Sequence, residues 1–324
     1  MYLFLRIYSI KINIKELIYL VINKFFLSNY YIMSLKQFIE TKRPNLSASS
    51  VTTYNSVLKN LYKRVFGDEQ IDVKKFNNTE PIVNFIKDEP PNKRKSILSA
   101  LVVVTDNDKY RKLMLEDINK YNDYINTQQK SEVQSQNWIS KDEVNTIFEK
   151  LEKEAKQIYK KQSLKMKDLQ TIQDYVIVAL LGGIFIPPRR LLDFTEFKIK
   201  DISKEKNNFY HRGKFHFNHY KTAKTYGEQT VNIPEALKKI LNKWIKINPT
   251  EWLLFDSNSS KLNAVKLNQR LNKIFNGKVS VNNLRHTYLT DKFGDTIEKN
   301  KQIEKTMESM GSSKGMLTTY VKED

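Results

Sequence analysis

From Asn126 to Gln136 the chain runs through NTQQKSEVQSQ, eleven residues of which Val133 alone is apolar. Such a stretch offers no side chains to a core, so it must connect two folded bodies rather than cross one. The expected division is a first body over 33–125, a connecting segment over 126–137 and a second body over 138–324. The chain has 324 residues, 40% of them hydrophobic, so each body has enough apolar material for its own core.

In the first body, Ser47-Ala48-Ser49-Ser50 supplies N-caps for a helix. Val51, Tyr54, Leu58, Leu61, Tyr62 and Val65 then recur at three- and four-residue spacing, which places them on one helical face. Further helices are expected near 80–87, 92–104 and 108–124, with no alternating strand pattern among them. This half therefore reads as all-helical. Lys59, Lys63, Arg64, Lys93, Arg94 and Lys95 are expected on adjoining helices as a phosphate-gripping face.

The second body opens near Trp138, where Ser140-Lys141-Asp142-Glu143 forms a capping box. A buried helix over 168–181 should end at Gly182-Gly183. Pro187-Pro188 ends any preceding helix and launches a new one at Arg189-Arg190. Residues 214–221 and 229–233 read as strands joined across Tyr226-Gly227, with 199–202 as a third strand. Helices are expected again over 235–247, 264–275, 282–293 and 296–310. The fold class expected is mainly α with a small antiparallel β-sheet.

Charge narrows the partner. Lys and Arg number 55 against 36 Asp and Glu, a formal net charge of +19. An AT-rich coding bias would exchange Arg for Lys, but it does not create a cationic excess. A polyanion is implied, and nucleic acid first. The absence of cysteine excludes disulfides, thiolate metal sites and cysteine nucleophiles. Four histidines are too few for a metal cluster, and His211, His216 and His219 fall in a strand-like run, so neither metal nor cofactor is expected. Residues 1–32 are rich in Ile, Leu, Tyr and Phe but are interrupted by Lys11, Lys15, Glu16 and Lys24. Their longest apolar run, Leu17 to Ile22, is far short of the roughly 20 residues of a membrane span. They are expected to be an accessory segment or the product of an alternative start ahead of Met33, with no stable membrane insertion.

The residues with chemistry to offer fall late in the second body. Arg190 precedes Asp193, and Lys221 opens Lys221-Thr222 ahead of Thr230-Val231-Asn232-Ile233-Pro234. Arg285 stands in Leu284-Arg285-His286, and Tyr320 follows Thr318-Thr319, a short run beyond Gly311-Ser312. In the order of these motifs, 138–324 resembles the catalytic domain of the tyrosine recombinase (phage-type integrase) family. On the same comparison, 33–125 resembles that family's core-binding domain. The family pattern sets an acid three residues after its first arginine, apolar positions four and seven after it, and an Asp-Ile-like pair about eleven beyond. Counting from Arg190 gives Asp193, Phe194, Phe197 and Asp201-Ile202, whereas counting from Arg189 fits none of these.

The resemblance implies a site-specific recombinase or integrase, viral or transposon-like, that cleaves and rejoins DNA without metal through a 3′-phosphotyrosine. Arg190 and Arg285 would grip the phosphate, Lys221 would act as the hairpin lysine, and Tyr320 would be the nucleophile. Asp193 would be a supporting carboxylate. Asn282 stands where the family has His or Lys, and Ser312 where it has His or Trp. Both can hydrogen-bond phosphate, but neither carries protons near neutral pH as histidine does. The implied partners are double-stranded DNA and, on paired DNA sites, three further copies in a homotetramer. The implied location is intracellular and DNA-associated, in the cytoplasm or nucleus of a host. A type IB topoisomerase-like enzyme and a catalytically weakened sequence-specific DNA-binding protein remain as alternatives.

Overall fold

The computed structural model describes residues 33–67 and 70–322, and the segment 1–32 lies outside the described residues. The chain divides between Gln129 and Lys130 into two compact units, each with its own core.

The first unit contains helices Leu35–Lys42 (α1), Ala48–Phe66 (α2), Thr79–Ile86 (α3), Pro91–Thr105 (α4) and Asp108–Asn126 (α5), with a 3-10 turn at Val73–Asn77. Ser47 caps α2 by accepting a hydrogen bond from the Ser50 amide. Val51, Leu58, Leu61 and Tyr62 of that helix are buried, as the spacing predicted. They meet Ile39, Phe76, Ile82, Leu98, Leu101 and Tyr110 in one core. Each such side chain contributes about 1.5–3 kcal/mol by leaving water. Pro91 opens α4 at the position where a missing N–H costs nothing.

The expected phosphate-gripping face requires a correction at Arg94. Its Nε donates to Asp117 Oδ2 at 2.6 Å, its Nη2 donates to the other oxygen, and its Nη1 donates to the Lys87 carbonyl at 3.0 Å. Asp117 is fully buried, so Arg94 ties α4 to α5 instead of facing a ligand.

The second unit runs through Glu132–Gln136 (α6), Lys141–Ile158 (α7), Met166–Leu181 (α8) and Leu192–Thr195 (α9). Strands Phe197–Lys198 (β1), Asn208–His211 (β2) and Lys214–Phe217 (β3) follow, then Ala223–Tyr226 (α10) and Gln229–Asn232 (β4). Helices Glu235–Ile247 (α11), Ala264–Ile274 (α12), Val281–Ser309 (α13) and Leu317–Tyr320 (α14) complete it. The molecule is thus mainly helical with one small sheet. Ser140 and Glu143 form the predicted capping box at the start of α7. The core gathers α8, buried from Ile172 through Leu181 except at Asp174, the rings of Phe194, Phe197, Phe215 and Phe217, and Trp244 stacked on Phe255 at 5.7 Å. Gln173, fully buried, exchanges two 2.9 Å hydrogen bonds with the Phe255 backbone.

The sheet order is β1-β2-β3-β4. The β2–β3 and β3–β4 pairs are antiparallel, but β1 joins β2 in parallel, so the sheet is mixed. The strand expected at 199–202 does not form. The Ile199 amide donates to the Glu251 carbonyl at 2.9 Å, and Asp201 turns the chain with φ 49°. Asn208–His211, unforeseen from its sequence, takes the neighbouring place in the ladder. The long strand expected over 214–221 stops at Phe217 because Asn208 Oδ1 accepts from the Asn218 and His219 amides, both at 2.8 Å, and draws them out of register.

Two helices expected over 282–293 and 296–310 are a single helix, α13. Gly294 lies inside it. A helical glycine costs about 1 kcal/mol relative to alanine, which weakens the run without ending it. The buried residues of α13 are Val281, Leu284, Thr287 and Met307, so its middle turns lie open. Among the described residues, no helix is long and apolar enough to cross a membrane.

Candidate functional site

After α8 the chain passes close to the first turns of α13. Gly183 has φ +70°, and a Cβ placed on it would lie 2.7 Å from Tyr288 Cδ2 and 3.2 Å from Pro188 Cγ. The Gly183 carbonyl accepts from Lys141 Nζ at 2.8 Å. Thr287 Oγ1 donates to the Ile139 carbonyl at 2.5 Å, and Asn283 Nδ2 to the Asn137 carbonyl at 3.0 Å. The start of α13 is therefore seated against both 137–141 and 183–188. Arg285 lies one turn before Tyr288, and Arg190 lies two residues after Pro188. The two segments that carry the arginines thus meet around Gly183. Neither guanidinium hydrogen-bonds or ion-pairs with a described residue; Arg190 acts on Asp193 through its charge and its backbone, whose carbonyl accepts from the Asp193 amide at 3.0 Å.

Gly183→Ala is expected to disturb this junction. Left-handed backbone costs an alanine about 1–2 kcal/mol, and the clash with Tyr288 adds about 1–3 kcal/mol. Thermal denaturation should show a lowered midpoint; an unchanged midpoint would mean that the junction yields freely.

Arg189, which the motif count set aside, is spent on internal contacts. Its Nε donates to Asp193 Oδ2 at 2.8 Å and its Nη1 to Gln229 Oε1 at 2.9 Å. Its Cζ lies 3.8 Å from the Phe217 ring centre and 5.2 Å from that of Tyr220. Asp193 is 2% exposed. Burial pushes its carboxyl above the usual range, against the pull of the Arg189 charge and hydrogen bond and of the Arg190 charge and backbone. Its Oδ1 is buried with no hydrogen-bond partner among the described residues. The four-residue spacing of Arg189 and Asp193 is the signal that sequence reasoning passed over. The helix expected to open at Arg189-Arg190 begins only at Leu192 and lasts four residues.

Lys221 is exposed, between β3 and α10, and makes no ion pair with a described residue. Its loop is held by Tyr220, whose hydroxyl donates to the Gly227 carbonyl at 2.7 Å. Through Arg189 this loop is tied to the segment that carries Arg190. Asn282 is exposed on the first turn of α13, where its neighbour Asn283 takes part in the cap.

Ser312 and Tyr320 follow the far end of α13. Gly311, at φ +66°, closes α13, and the Ser312 amide donates back to the Met307 carbonyl at 2.8 Å. From Arg285 to Ser309 the helix rises about 36 Å. The residues from Met310 to Tyr320, mostly in short helical turns, span at most roughly 26 Å. The Cα atoms of Arg285 and Tyr320 are thus at least about 10 Å apart, and Tyr320 is 57% exposed. Leu289, Phe293 and Ile297 recur every fourth residue on the open part of α13, each at least 40% exposed.

Among the described residues, no three His, Cys, Asp or Glu side chains are grouped so as to hold a metal ion. No protein-family model matches the sequence, and no curated protein matches it. Among solved structures, the chain is similar to a lambda integrase (75–356) dimer bound to a COC′ core site. Identity there is 16%, over 82% of this chain and 93% of that one, with a TM-score of 0.43. It is also similar to a lambda integrase tetramer bound to a Holliday junction, at 17% identity over 80% of this chain and 69% of that one, with a TM-score of 0.43. At these values neither likeness bears on what this chain does.

Proposed function

We propose that this chain is a DNA strand transferase of the tyrosine recombinase type, cleaving and rejoining duplex DNA through a 3′-phosphotyrosine. The observation that carries the reading is the meeting of the Arg190 and Arg285 segments around Gly183, with neither guanidinium hydrogen-bonded to a described residue. Paired cationic forks suit a phosphodiester that gains charge as it becomes pentavalent. A formal charge of +19 supports a duplex partner, with affinity that falls steeply as salt rises.

In the proposed step, the Tyr320 phenol gives up its proton to water as its oxygen forms a bond to phosphorus, and the bond from phosphorus to the 5′ oxygen breaks. Lys221 gives its proton to the departing oxygen, which would otherwise leave as a poor alkoxide. Asn282 and Ser312 serve as hydrogen-bond donors to phosphate. The covalent ester conserves the bond energy, so a 5′ hydroxyl can reseal the strand without ATP. Tyr320 must be brought to the arginines, either by bending α13 at Gly294 or from a second copy on paired sites.

The exposure of Tyr320, whose hydroxyl bonds to no described residue, favours one second reading, a DNA-binding protein without strand chemistry. A nicked duplex that loses its short cleaved fragment decides between them. The proposal expects a denaturation-resistant protein–DNA product, with the attached peptide mapping to Tyr320 by mass spectrometry. Salt-sensitive duplex binding with no such product, or attachment at another residue, sinks the proposal. Sequence-independent plasmid relaxation by the monomer would instead favour a topoisomerase.

A further inference from the structure

We propose that Arg189 is a positioning residue that couples the Arg190 segment to the Lys221 loop, so that both cations reach the phosphate as one unit. The inference rests on the roles proposed above for Arg190 and Lys221. Its own support is the way one guanidinium is used. Nε is committed to Asp193 and Nη1 to Gln229, while the guanidinium lies against Phe217 and near Tyr220. Phe217 ends β3, Tyr220 precedes Lys221, and Gln229 opens β4. Arg189 therefore touches both legs of the loop and also the segment of its neighbour Arg190.

The fork is held in place from behind. Asp193 is almost fully buried and needs a cation beside it, and Arg189 supplies one with its side chain 20% exposed. A planar guanidinium can meet a carboxylate, an amide oxygen and a ring face together, whereas an ammonium on a flexible stem cannot. With these directions occupied, Arg189 is not a phosphate ligand; it acts through Lys221.

Two substitutions separate coupling from stability. Arg189→Lys keeps a cation beside Asp193 but loses the fork. Gln229→Ala removes the loop anchor and leaves the Asp193 pair intact. Single-turnover adduct formation on saturating nicked duplex should fall about tenfold in each, with duplex Kd within about twofold of wild type. A duplex whose 5′ bridging oxygen is replaced by sulfur leaves without needing a proton, so on it the loss should shrink to less than about twofold. Equal losses on both duplexes, or no loss on either, overturn the inference. If the wild-type protein forms no adduct on either duplex, the strand-transferase reading fails instead. Amide hydrogen exchange over 214–232 then decides the coupling: faster exchange in Gln229→Ala supports it, and unchanged exchange overturns it.

Discussion

Alanine at Arg190 or at Arg285 is expected to slow covalent adduct formation by about 10²–10³-fold while duplex affinity stays within about threefold. The rate should suffer because the bound phosphodiester gains charge only as the phenol attacks. Donors fixed beforehand around it cost no reorganisation at that moment. Affinity should persist because it is spread over many cations, and each phosphate contact adds only about one unit to the salt slope. The fold should persist as well. Neither guanidinium pairs with a described carboxylate, so its removal strands no buried charge. Arg189 is the contrast, since its loss would take the partner from Oδ2 of buried Asp193, whose Oδ1 already has none among the described residues. Lysine at 190 or 285 should recover part of the rate through charge but not the bidentate geometry. Adduct kinetics, equilibrium binding and thermal denaturation on the same variants test this together. Rate and binding falling in parallel would remove both residues from the chemistry.

How far these residues were legible in the sequence depends on how local their causes are. The capping box at Ser140, the buried stripe of α2 and the bounds of α11 follow from spacing and end signals within a few residues. Asp193 was recognised from its distance to Arg190, yet its hydrogen-bonded partner is Arg189, because Gln229 and two aromatic rings some 28–40 residues away hold that fork. The short strands were least legible. β1 ends where the distant Glu251 carbonyl captures Ile199, and β3 ends where the Asn208 side chain captures two amides. Neither event leaves a trace in local propensity. The break expected near Gly294 also fails to form, and α13 runs on to Ser309. Glycine weakens a helix by about as much as a few side-chain pairs strengthen it.

Arg94→Ala should cost the first unit about 3–5 kcal/mol, the usual penalty for stranding a buried charge. Asp117 is fully buried, and two nitrogens of Arg94 serve its two oxygens. The hydrogen bond to Asp117 raises the Arg94 pKa above its ordinary value, opposed by burial and aided by the same carboxylate's charge. The third bond, to the Lys87 carbonyl, fixes the guanidinium against the turn before α4. Arg94→Lys should recover little, since one ammonium cannot replace the fork. Replacing both partners, as in Arg94→Met with Asp117→Leu, should be nearly neutral, because the double change removes the desolvated charges together. A denaturant series on the three variants separates these outcomes, and it also decides what Arg94 is for. If Arg94→Ala instead keeps full stability and lowers the salt slope of DNA binding by about one unit, the side chain faces phosphate after all. A large loss of stability with an unchanged salt slope assigns it to the core, and leaves phosphate gripping in this unit to cations such as Lys59, which pairs with no described carboxylate.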